Sequence, residues 1–340
     1  MTPTPKPNEL DEPFAERVER LKQELALALH WNRPSILLAI YSSEFVRADA
    51  EAALKDWLRE QGQDAALIQV TGPADADVPL RLRERPDRDR TVFFVSGLRW
   101  GAPTSWNALN VRREYLVEDH IRAVFWLTEG EAAELPLRAP DFWAFRHRTV
   151  EFVELPEMGR AVQRASELAW AGFEERLPPE ERRARIALRE RLLAELPDEP
   201  ETTAARAELH YTLGGLYHWG REHERAREHL QAALDLAKRS ENVRLQAWSL
   251  NGLGEVYRAQ GRPEEVAAYQ RAIALDPDFA APHFNWALLE VERGNKDTAY
   301  EHWKQAVELE PEEARRWAKG AAEFDPIRDG PRFRELVGEE

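Results

Sequence analysis

The sequence contains no cysteine among its 340 residues. Disulfide bonds, thiolate nucleophiles and cysteine-based zinc sites are therefore excluded. Long apolar runs are also missing, since none approaches the roughly 20 residues that a membrane-spanning helix needs. The segment Met1 to Pro13 lacks the apolar core of a signal peptide and is predicted to be a disordered, proline-rich tail over residues 1–13. These absences predict a cytoplasmic protein with no membrane contact.

Positive charge is in short supply, because 62 acidic residues outweigh 47 basic ones and leave a formal net charge of −15. Affinity for nucleic acids comes largely from neutralising phosphates, so this balance argues against a nucleic acid as the partner. The most basic stretch, residues 81–90, is interrupted by Glu84, Asp87 and Asp89. It is predicted to be a solvated loop.

The first half of the chain alternates short apolar runs with segments of helical periodicity. The runs are rich in Val, Ile and Phe and nearly uninterrupted, as in strands that are covered on both faces. They lie at 35–40, 65–70, 91–95, 123–127 and 149–153. Helices are predicted at 14–29, 45–61, 78–83 and 105–121 and around 132–145. This alternation predicts a three-layer α/β domain with a mainly parallel sheet over residues 14–154.

A phosphate-binding loop is missing where an α/β domain often has one, between the first strand and the following helix. Such a loop needs glycines, a lysine and a magnesium-binding hydroxyl. Residues 39–46 contain neither Gly nor Lys, and Glu44 adds a negative charge at the predicted helix N-terminus. Ser42 or Ser43 is better interpreted as the N-cap of that helix. After the third strand, Ser96 stands where a magnesium-binding Asp is expected. We therefore predict no catalytic residue, no cofactor and no metal site.

After residue 155 the strand pattern disappears and a helical repeat begins. Residues 213–234 align with 253–273 and with 286–311. The copies share a Leu-Gly-x-x-Tyr pattern at 213–217 and 253–257, and Trp-Ala stands at 286–287. The turn glycine is Gly261 or Gly294, whereas in the first copy Gly220 lies one position early. This is the tetratricopeptide repeat pattern, in which helical hairpins stack and bury one another's apolar faces.

The repeat positions have a physical interpretation. Small residues at 214, 254 and 287 allow the second helix of each pair to approach closely. Gly214 and Gly254 are 40 residues apart, against a usual repeat of about 34. This spacing predicts longer helices or a longer link around 238–243. Residues 159–172 and 179–196 are expected to form a leading pair, and the repeat domain is predicted to cover 159–340 with a C-terminal capping helix.

The segment 105–154 resembles one that recurs in bacterial tetratricopeptide proteins. In those proteins the N-terminal domain resembles a P-loop NTPase of the STAND kind, related to NLR-type sensors. The pieces that carry the resemblance are LNVRRE at 109–114, FWL at 125–127, APDFWAFR at 139–146 and VEF at 150–152. The resemblance implies a bacterial protein with a degenerate P-loop α/β domain before its repeats. It implies no particular activity.

The first helices of such repeats line a concave face, and their inward residues select the ligand. The predicted partner-binding residues are Tyr211, His218, Trp219, Trp248, Asn251, Glu255, Arg258, Phe284 and Leu288. This mixture of aromatic, apolar and polar residues suits a groove for a protein segment. Alternatively, Trp219, Trp248 and Phe284 only pack against helices of the array or against the N-terminal domain.

Two functions follow from these features. The first is a non-enzymatic adaptor or regulator that binds a protein or peptide partner through its repeats. The alternative is a nucleotide-responsive sensor of the STAND kind that binds nucleotide without hydrolysing it. The absence of the phosphate loop favours the adaptor. The oligomeric state and the identity of the partner remain open.

Overall fold

The computed structural model describes residues 13–152 and 157–338. Three predicted segments lie partly outside the described residues. They are the tail up to residue 12, the last residue of the fifth strand, and the first half of the link at 155–158. Contacts divide the chain into two compact units. The first comprises the described residues up to Ala161 together with Pro178–Glu195, and the second comprises Val162–Leu177 and the residues from Leu196 onward.

Within residues 13–152, the first unit contains a five-stranded sheet in the order β2-β3-β4-β1-β5. All pairings are parallel; for example, Leu38 of β1 lies opposite Phe125 of β4. The strands are β1 (Ser35–Tyr41), β2 (Asp64–Gln69), β3 (Thr91–Ser96), β4 (Arg122–Thr128) and β5 (Arg148–Phe152). The apolar runs thus identified every strand of this sheet, because central parallel strands are buried on both faces.

Helices cover both faces of the sheet. They are α1 (Phe14–His30), α2 (Glu44–Glu60), α3 (Val78–Arg83), α4 (Thr104–Glu118), α5 (Glu129–Arg138) and α6 (Pro140–Ala144). Residues of α1 and α2 form one core with the strands, and residues of α3 to α6 form the other. The crossover from β1 to β2 runs across the sheet in one direction, and the later crossovers run in the other. Because such connections are right-handed, α2 lies on the face of the sheet opposite to the helices of the later crossovers. The predicted three-layer α/β architecture is confirmed.

Two further helices follow, α7 (Met158–Trp170) and α8 (Pro179–Glu195). Helix α8 belongs to the first unit and packs against α2. The expectation that residues 159–172 and 179–196 form a leading helix pair of the array is therefore wrong. The sequence of α8 contains apolar residues that must be covered, such as Ile186 and Leu192, but it does not show which unit covers them.

The second unit is helical throughout its described residues from 203 onward, apart from turns and short links. Its helices are α9 (Thr203–Trp219), α10 (His223–Arg239), α11 (Val243–Ala259), α12 (Glu265–Leu275), α13 (Ala280–Glu292), α14 (Lys296–Leu309), α15 (Pro311–Gly320) and α16 (Pro331–Val337). The pairs α9/α10, α11/α12 and α13/α14 form hairpins. Phe333 and Val337 of α16 share a buried cluster with Trp303 of α14. Among the described helices, none is long and apolar enough to cross a bilayer.

Close approach within the hairpins depends on the predicted small residues. A Cβ added at Gly214 would lie 2.5 Å from Leu230 Cγ, and one at Gly254 would lie 2.4 Å from Tyr269 Cε1. Both distances are far below van der Waals contact, so a side chain would force the helices apart. The long spacing between these glycines has its cause in helix length, because α10 has 17 residues and α12 has 11.

Candidate partner-binding site

Two neighbouring clefts open on the face formed by α9, α11, α13 and α15, the first helices of the repeats and the helix after them. The larger, about 620 Å³, is called the arginine cleft here because Arg176, Arg258 and Arg316 line it. The other, about 560 Å³, is called the tryptophan cleft because Trp170 and Trp248 line it. Ala281 contributes to both linings. The two clefts therefore adjoin and form one continuous surface.

Eight of the nine residues predicted from the sequence line these clefts. The arginine cleft contains Trp219, Glu255, Arg258, Phe284 and Leu288, and the tryptophan cleft contains Tyr211, Trp248 and Asn251. His218 lies outside both linings, next to His223, with its Nε2 3.8 Å from Glu255 Oε2. Burial lowers the pKa of His218 to about 4, with smaller contributions from His223 and Arg258. His218 is therefore a neutral neighbour of the cleft. Its assignment to partner binding stays a prediction.

An aromatic cluster contributes to both clefts. It consists of Trp170, Phe173, Tyr211, Trp219 and Trp248, with ring centroids 4.8 to 5.9 Å apart. The Arg244 guanidinium stacks over Trp248 at 4.7 Å. Trp219 and Trp248 are half-buried. They therefore both pack within the array and present ring surface to a cleft.

A polar network connects the two clefts, because Glu255 and Asn285 line the arginine cleft and Asn251 lines the tryptophan cleft. Glu255 Oε1 accepts hydrogen bonds from Asn251 Nδ2 at 2.8 Å and from Asn285 Nδ2 at 2.7 Å. Asn285 Nδ2 also donates to Asn251 Oδ1 at 3.1 Å. Burial raises the pKa of Glu255, although Arg258 and the two amides oppose this shift. Because the carboxylate takes the amide N–H groups, it fixes the orientation of the Asn285 side chain, whose Oδ1 remains as an acceptor.

Arg258 carries the positive charge nearest to this network. Its guanidinium is 3.7 Å from Glu292 and 3.5 Å from Glu323. Charge-assisted hydrogen bonds are normally about 2.7–2.9 Å long, so these pairs are loose. The guanidinium of Arg258 therefore retains the capacity to bind an acidic group.

The side chains of Phe284 and Leu288 expose less surface to the arginine cleft than the repeat register predicts. Their exposed fractions are 7% and 5%. The Phe284 ring packs 5.3 Å from Trp317 and 5.6 Å from Phe324. Packing against helices of the array is the alternative role that the sequence allows for Phe284, and its ring does pack in this way. Truncation of this ring should therefore cost folding stability.

Several residues of the surface were not predicted from the sequence. Asn285 lies three residues before Leu288, so helical periodicity places the two on the same face. The repeat alignment, however, assigned Phe284 and not Asn285 to the binding face. Trp317 and Arg316 belong to the helix after the third repeat. Trp170 and Phe173 precede the repeats and have no repeat position, so no sequence pattern pointed to them.

In the first unit, the position where a phosphate could bind holds a carboxylate of the chain itself. Ser43 caps α2, because its Oγ accepts a hydrogen bond from Phe45 N at 3.2 Å. The same hydroxyl donates to Glu195 Oε2 at 2.7 Å, and Glu44 N donates to Glu195 Oε1 at 2.8 Å. The end of α8 therefore supplies the anion at the N-terminus of α2.

Glu44 adds a second negative charge at this helix end. It is 1% exposed and accepts hydrogen bonds from Tyr41 Oη at 2.9 Å and Arg47 Nε at 2.8 Å. Arg191 of α8 forms an ion pair with it at 2.6 Å. Burial alone would raise the pKa of Glu44, but Arg47 and Arg191 hold it below its usual value. Glu44 is therefore a stable anion beside the helix N-terminus.

Helix α8 continues along the carboxyl ends of the strands. Ala184 and Ala187 line a small cavity of about 120 Å³ with Val70 and Trp100, which follow β2 and β3. Open α/β sheets bind ligands beyond the carboxyl ends of their strands, where the strand order reverses. Here the order reverses between β1 and β4, and α8 and its Glu195 lie at this edge.

The arginines of the most basic stretch, residues 81–90, have partners close by. In the basic stretch 81–90, Arg83 and Arg88 pair with Asp119, Arg85 pairs with Asp87, and Arg90 pairs with Asp64. Over residues 13–152 and 157–338, no group of three or more His, Asp or Glu side chains is arranged to hold a metal ion. Neither observation identifies a competing site.

Comparisons with known proteins match the repeats. Residues 205–278 match the family model described as the tetratricopeptide repeat. A search of the curated proteins found no significant match. Within the described residues, this matched segment spans the hairpin α9/α10 and the hairpin α11/α12.

Three solved structures are among those similar to this chain. The crystal structure of MamA is 25% identical over 45% of this chain and 80% of its own, with a TM-score of 0.34. The structure of YrrB, described as a TPR protein with an unusual peptide-binding site, is 16% identical over 54% of this chain and 84% of its own, with a TM-score of 0.33. Aspartyl phosphate phosphatase F from Bacillus subtilis is 11% identical over 99% and 84%, with a TM-score of 0.44. The family match and the observed hairpins agree that residues 205–278 form tetratricopeptide repeats.

Proposed function

We propose that this protein is a non-enzymatic adaptor or regulator that binds an extended protein segment across the arginine and tryptophan clefts. The observation that carries the proposal is the oriented Asn285 side chain in the lining of the arginine cleft. Its amide donates to Glu255 and Asn251, which leaves Oδ1 as an acceptor for a backbone N–H. A backbone N–H is the one donor that almost every residue of a bound segment offers.

The surroundings of Asn285 supply the other requirements of such a site. Trp219 offers half-buried ring surface, and aromatic anchors commonly dominate the binding energy of interfaces. Arg258 and the exposed Arg316 can pair with an acidic group of the segment. The family match over 205–278 adds support, since repeats of this kind present an extended concave surface for binding.

The nucleotide-sensor alternative has less support. Glu195 occupies the N-terminus of α2, and the anionic Glu44 lies beside it. The proposal includes that the first unit is a degenerate P-loop domain, because residues 105–154 resemble STAND-like domains. In this proposal, the α/β unit regulates or supplements binding by the repeats.

Selection from a random peptide library tests the proposal, because it needs no identified partner. The full-length chain is immobilised, binding peptides are selected from a phage-displayed library, and their affinities are measured by fluorescence anisotropy. We expect Asn285→Ala to weaken a selected peptide about tenfold, which corresponds to about 1.4 kcal/mol. The matched control is Gln305→Ala, which removes an exposed amide from α14, outside both clefts. This control should leave the affinity unchanged.

The result that would overturn the proposal is equally specific. If selected peptides bind Asn285→Ala and Arg258→Ala as tightly as the unmodified chain, the binding surface is elsewhere. Thermal unfolding of each variant distinguishes a lost contact from a lost fold. A variant counts only if its unfolding midpoint stays within a few degrees of that of the unmodified chain.

A further inference from the structure

The charge of the tryptophan cleft is one-sided. Its lining contains three carboxylates, those of Asp276, Asp278 and Glu310, against the single guanidinium of Arg244. The adjoining arginine cleft is balanced, since three glutamates and three arginines line it. A cleft lined mainly by charge of one sign attracts the opposite charge. The tryptophan cleft therefore favours a cation.

The three carboxylates of the tryptophan cleft have no partner within the chain that neutralises them. Over residues 13–152 and 157–338, none of them accepts a hydrogen bond or forms an ion pair. Glu310 directly precedes α15, yet its side chain does not cap that helix. In the arginine cleft, by contrast, Glu255 accepts hydrogen bonds from two amides, and Glu323 lies 3.5 Å from Arg258. The acids of the tryptophan cleft thus remain available to a cation from outside the chain.

Aromatic rings beside these acids supply a second attraction for a cation. Trp170, Tyr211 and Trp248 line the same cleft, and Trp170 is 37% exposed. A guanidinium or ammonium group over an aromatic face is attracted by the electron-rich ring. Arg244 makes this contact at one ring, because its guanidinium carbon lies 4.7 Å from the centre of Trp248. In the part of the chain that the structure describes, no cation lies over Trp170, so its exposed ring surface remains available.

Arg244 does not satisfy the cleft on its own. It forms no ion pair with any described residue, and the cleft still has a volume of about 560 Å³, within the range of roughly 300–1,000 Å³ that is usual for ligand pockets. The described His, Asp and Glu side chains are not grouped to hold a metal ion. An organic cation therefore fits the cleft better. The methylene stem of a basic side chain packs on apolar surface while its charged end stays with polar groups.

We propose that the tryptophan cleft is a specificity pocket for a basic residue, lysine or arginine, of the protein segment that binds this face. The stem of that residue lies along Trp170 and Trp248, and its charged end lies near the carboxylates of Asp278 and Glu310. Because arginines attract an acidic group in the adjoining cleft, the segment carries opposite charges at the two clefts. This inference rests on the proposed function and names the residue type that its partner must carry.

Peptides selected on the full-length chain are the probes for this pocket. Those whose affinity falls with Asn285→Ala are retained, because they bind across the proposed surface. We expect each of them to contain a Lys or Arg whose replacement by Gln weakens binding at least tenfold in fluorescence anisotropy. The difference between the basic probe and its Gln counterpart should shrink at about 0.5 M NaCl, because salt screens the attraction of the carboxylates.

Variants of the chain test which carboxylates take part. Asp278→Asn and Glu310→Gln keep the size of the side chain and remove its charge. Each should weaken the basic probe at least threefold and leave its Gln counterpart unchanged. The matched control is Glu228→Gln, which removes an exposed acid from α10, outside both clefts, and should affect neither probe. Glu310→Arg should reverse the preference, so that a probe with Glu in place of the basic residue binds this variant more tightly than the basic probe does.

Three results would overturn the inference. The first is a set of Asn285-dependent peptides without any basic residue, and the second is equal binding of the basic and Gln probes to the unmodified chain. Neither comparison needs a variant of the cleft to fold. The third is an equal effect of Glu310→Gln and Glu228→Gln in variants that unfold cooperatively. All three leave the dependence on Asn285 intact, so the failure of the pocket and the failure of the proposed function are distinguishable.

Discussion

The carboxylate of Glu195 accepts a hydrogen bond from the hydroxyl of Ser43 at 2.7 Å. It also accepts one from the backbone N–H of Glu44 at 2.8 Å. The N-terminus of a helix attracts anions because its first N–H groups have no partner within the helix and the helix dipole is positive there. In this chain that role is taken by a side chain of the last residue of α8, which connects the end of that helix to the start of α2.

Removal of the Glu195 carboxylate should weaken this connection. We expect Glu195→Ala to lower the free energy of unfolding of the full chain by about 0.5–1 kcal/mol, a typical value for a charge that complements a helix terminus. Glu195→Gln should lose less than half as much, because its amide oxygen still accepts from Ser43 and Glu44. Urea unfolding measures both values.

The control for this prediction is Glu181→Ala, which removes an exposed acid near the other end of α8. It should leave the unfolding midpoint unchanged. Equal losses in the Gln and Ala variants of Glu195 would show that the charge, not hydrogen-bond acceptance, stabilises this end of α2.

Nucleotides should not stabilise the first unit. With Mg²⁺, neither ATP nor GTP should raise the thermal unfolding midpoint, because Glu195 and the buried Glu44 already place negative charge at the N-terminus of α2. Glu195→Ala should behave in the same way, since Glu44 remains. No steady hydrolysis is expected either. Turnover that disappears when Ser43 or Ser96 is changed would contradict this prediction, as would an upward shift with nucleotide.

The sequence predicted the elements well because their patterns are local. Buried parallel strands are continuous apolar runs, and stacked hairpins need small residues at fixed positions such as Gly214 and Gly254. The positions of α8 and Phe173 were not predicted. The apolar residues of a helix, or a single aromatic residue in a loop, show that something must cover them. They do not show which distant surface does so.

The candidate site was predictable in part for the same reason. The repeat register placed Trp219, Glu255 and Arg258 on the face that holds the arginine cleft. It could not separate a ring that packs in the core, such as Phe284, from one that is half-exposed, such as Trp248. That difference depends on α15 and the turn after it, which cover Phe284 with Trp317 and Phe324.

The turn of the first hairpin should be improved by a single glycine. Arg221 has a φ of +63°, and Gly261 and Gly294 have φ values of +64° and +82° at the corresponding turns. The early glycine, Gly220, has a φ of −79°, a conformation that residues with side chains also adopt easily. A non-glycine residue in the left-handed region costs free energy, so Arg221→Gly should raise the free energy of unfolding by about 0.5–1 kcal/mol.

Two matched variants test the explanation for this turn. Gly261→Ala introduces the same strain in the second hairpin and should lower the free energy of unfolding by about 1 kcal/mol. Gly220→Ala, at a negative φ, should change it little. Denaturant titrations of the three variants provide the comparison, and a destabilised Arg221→Gly variant would show that the arginine side chain matters more than the backbone.

Acid should destabilise the first repeat through its histidine pair. His210 Nδ1 lies 3.0 Å from His229 Nδ1, so one ring nitrogen must donate while the other accepts. Burial, with smaller contributions from the nearby His229 and Arg206, lowers the pKa of His210 to about 4. The unfolded chain has a histidine pKa of about 6.5. Between these values the unfolded chain binds more protons than the folded one, so stability is full above pH 6.5 and decreases as the pH falls toward 4.

The slope of stability against pH tests this assignment. His210→Gln keeps a polar side chain that can bond to His229 but cannot take up the proton, so its free energy of unfolding should fall less steeply between pH 6.5 and 4. Some slope should persist, because burial also lowers the pKa of His218 to about 4. His120→Gln, a change in the first unit, serves as the control and should retain the slope of the unmodified chain. Parallel curves for His210→Gln and the unmodified chain would show that the acid sensitivity of this protein has another source.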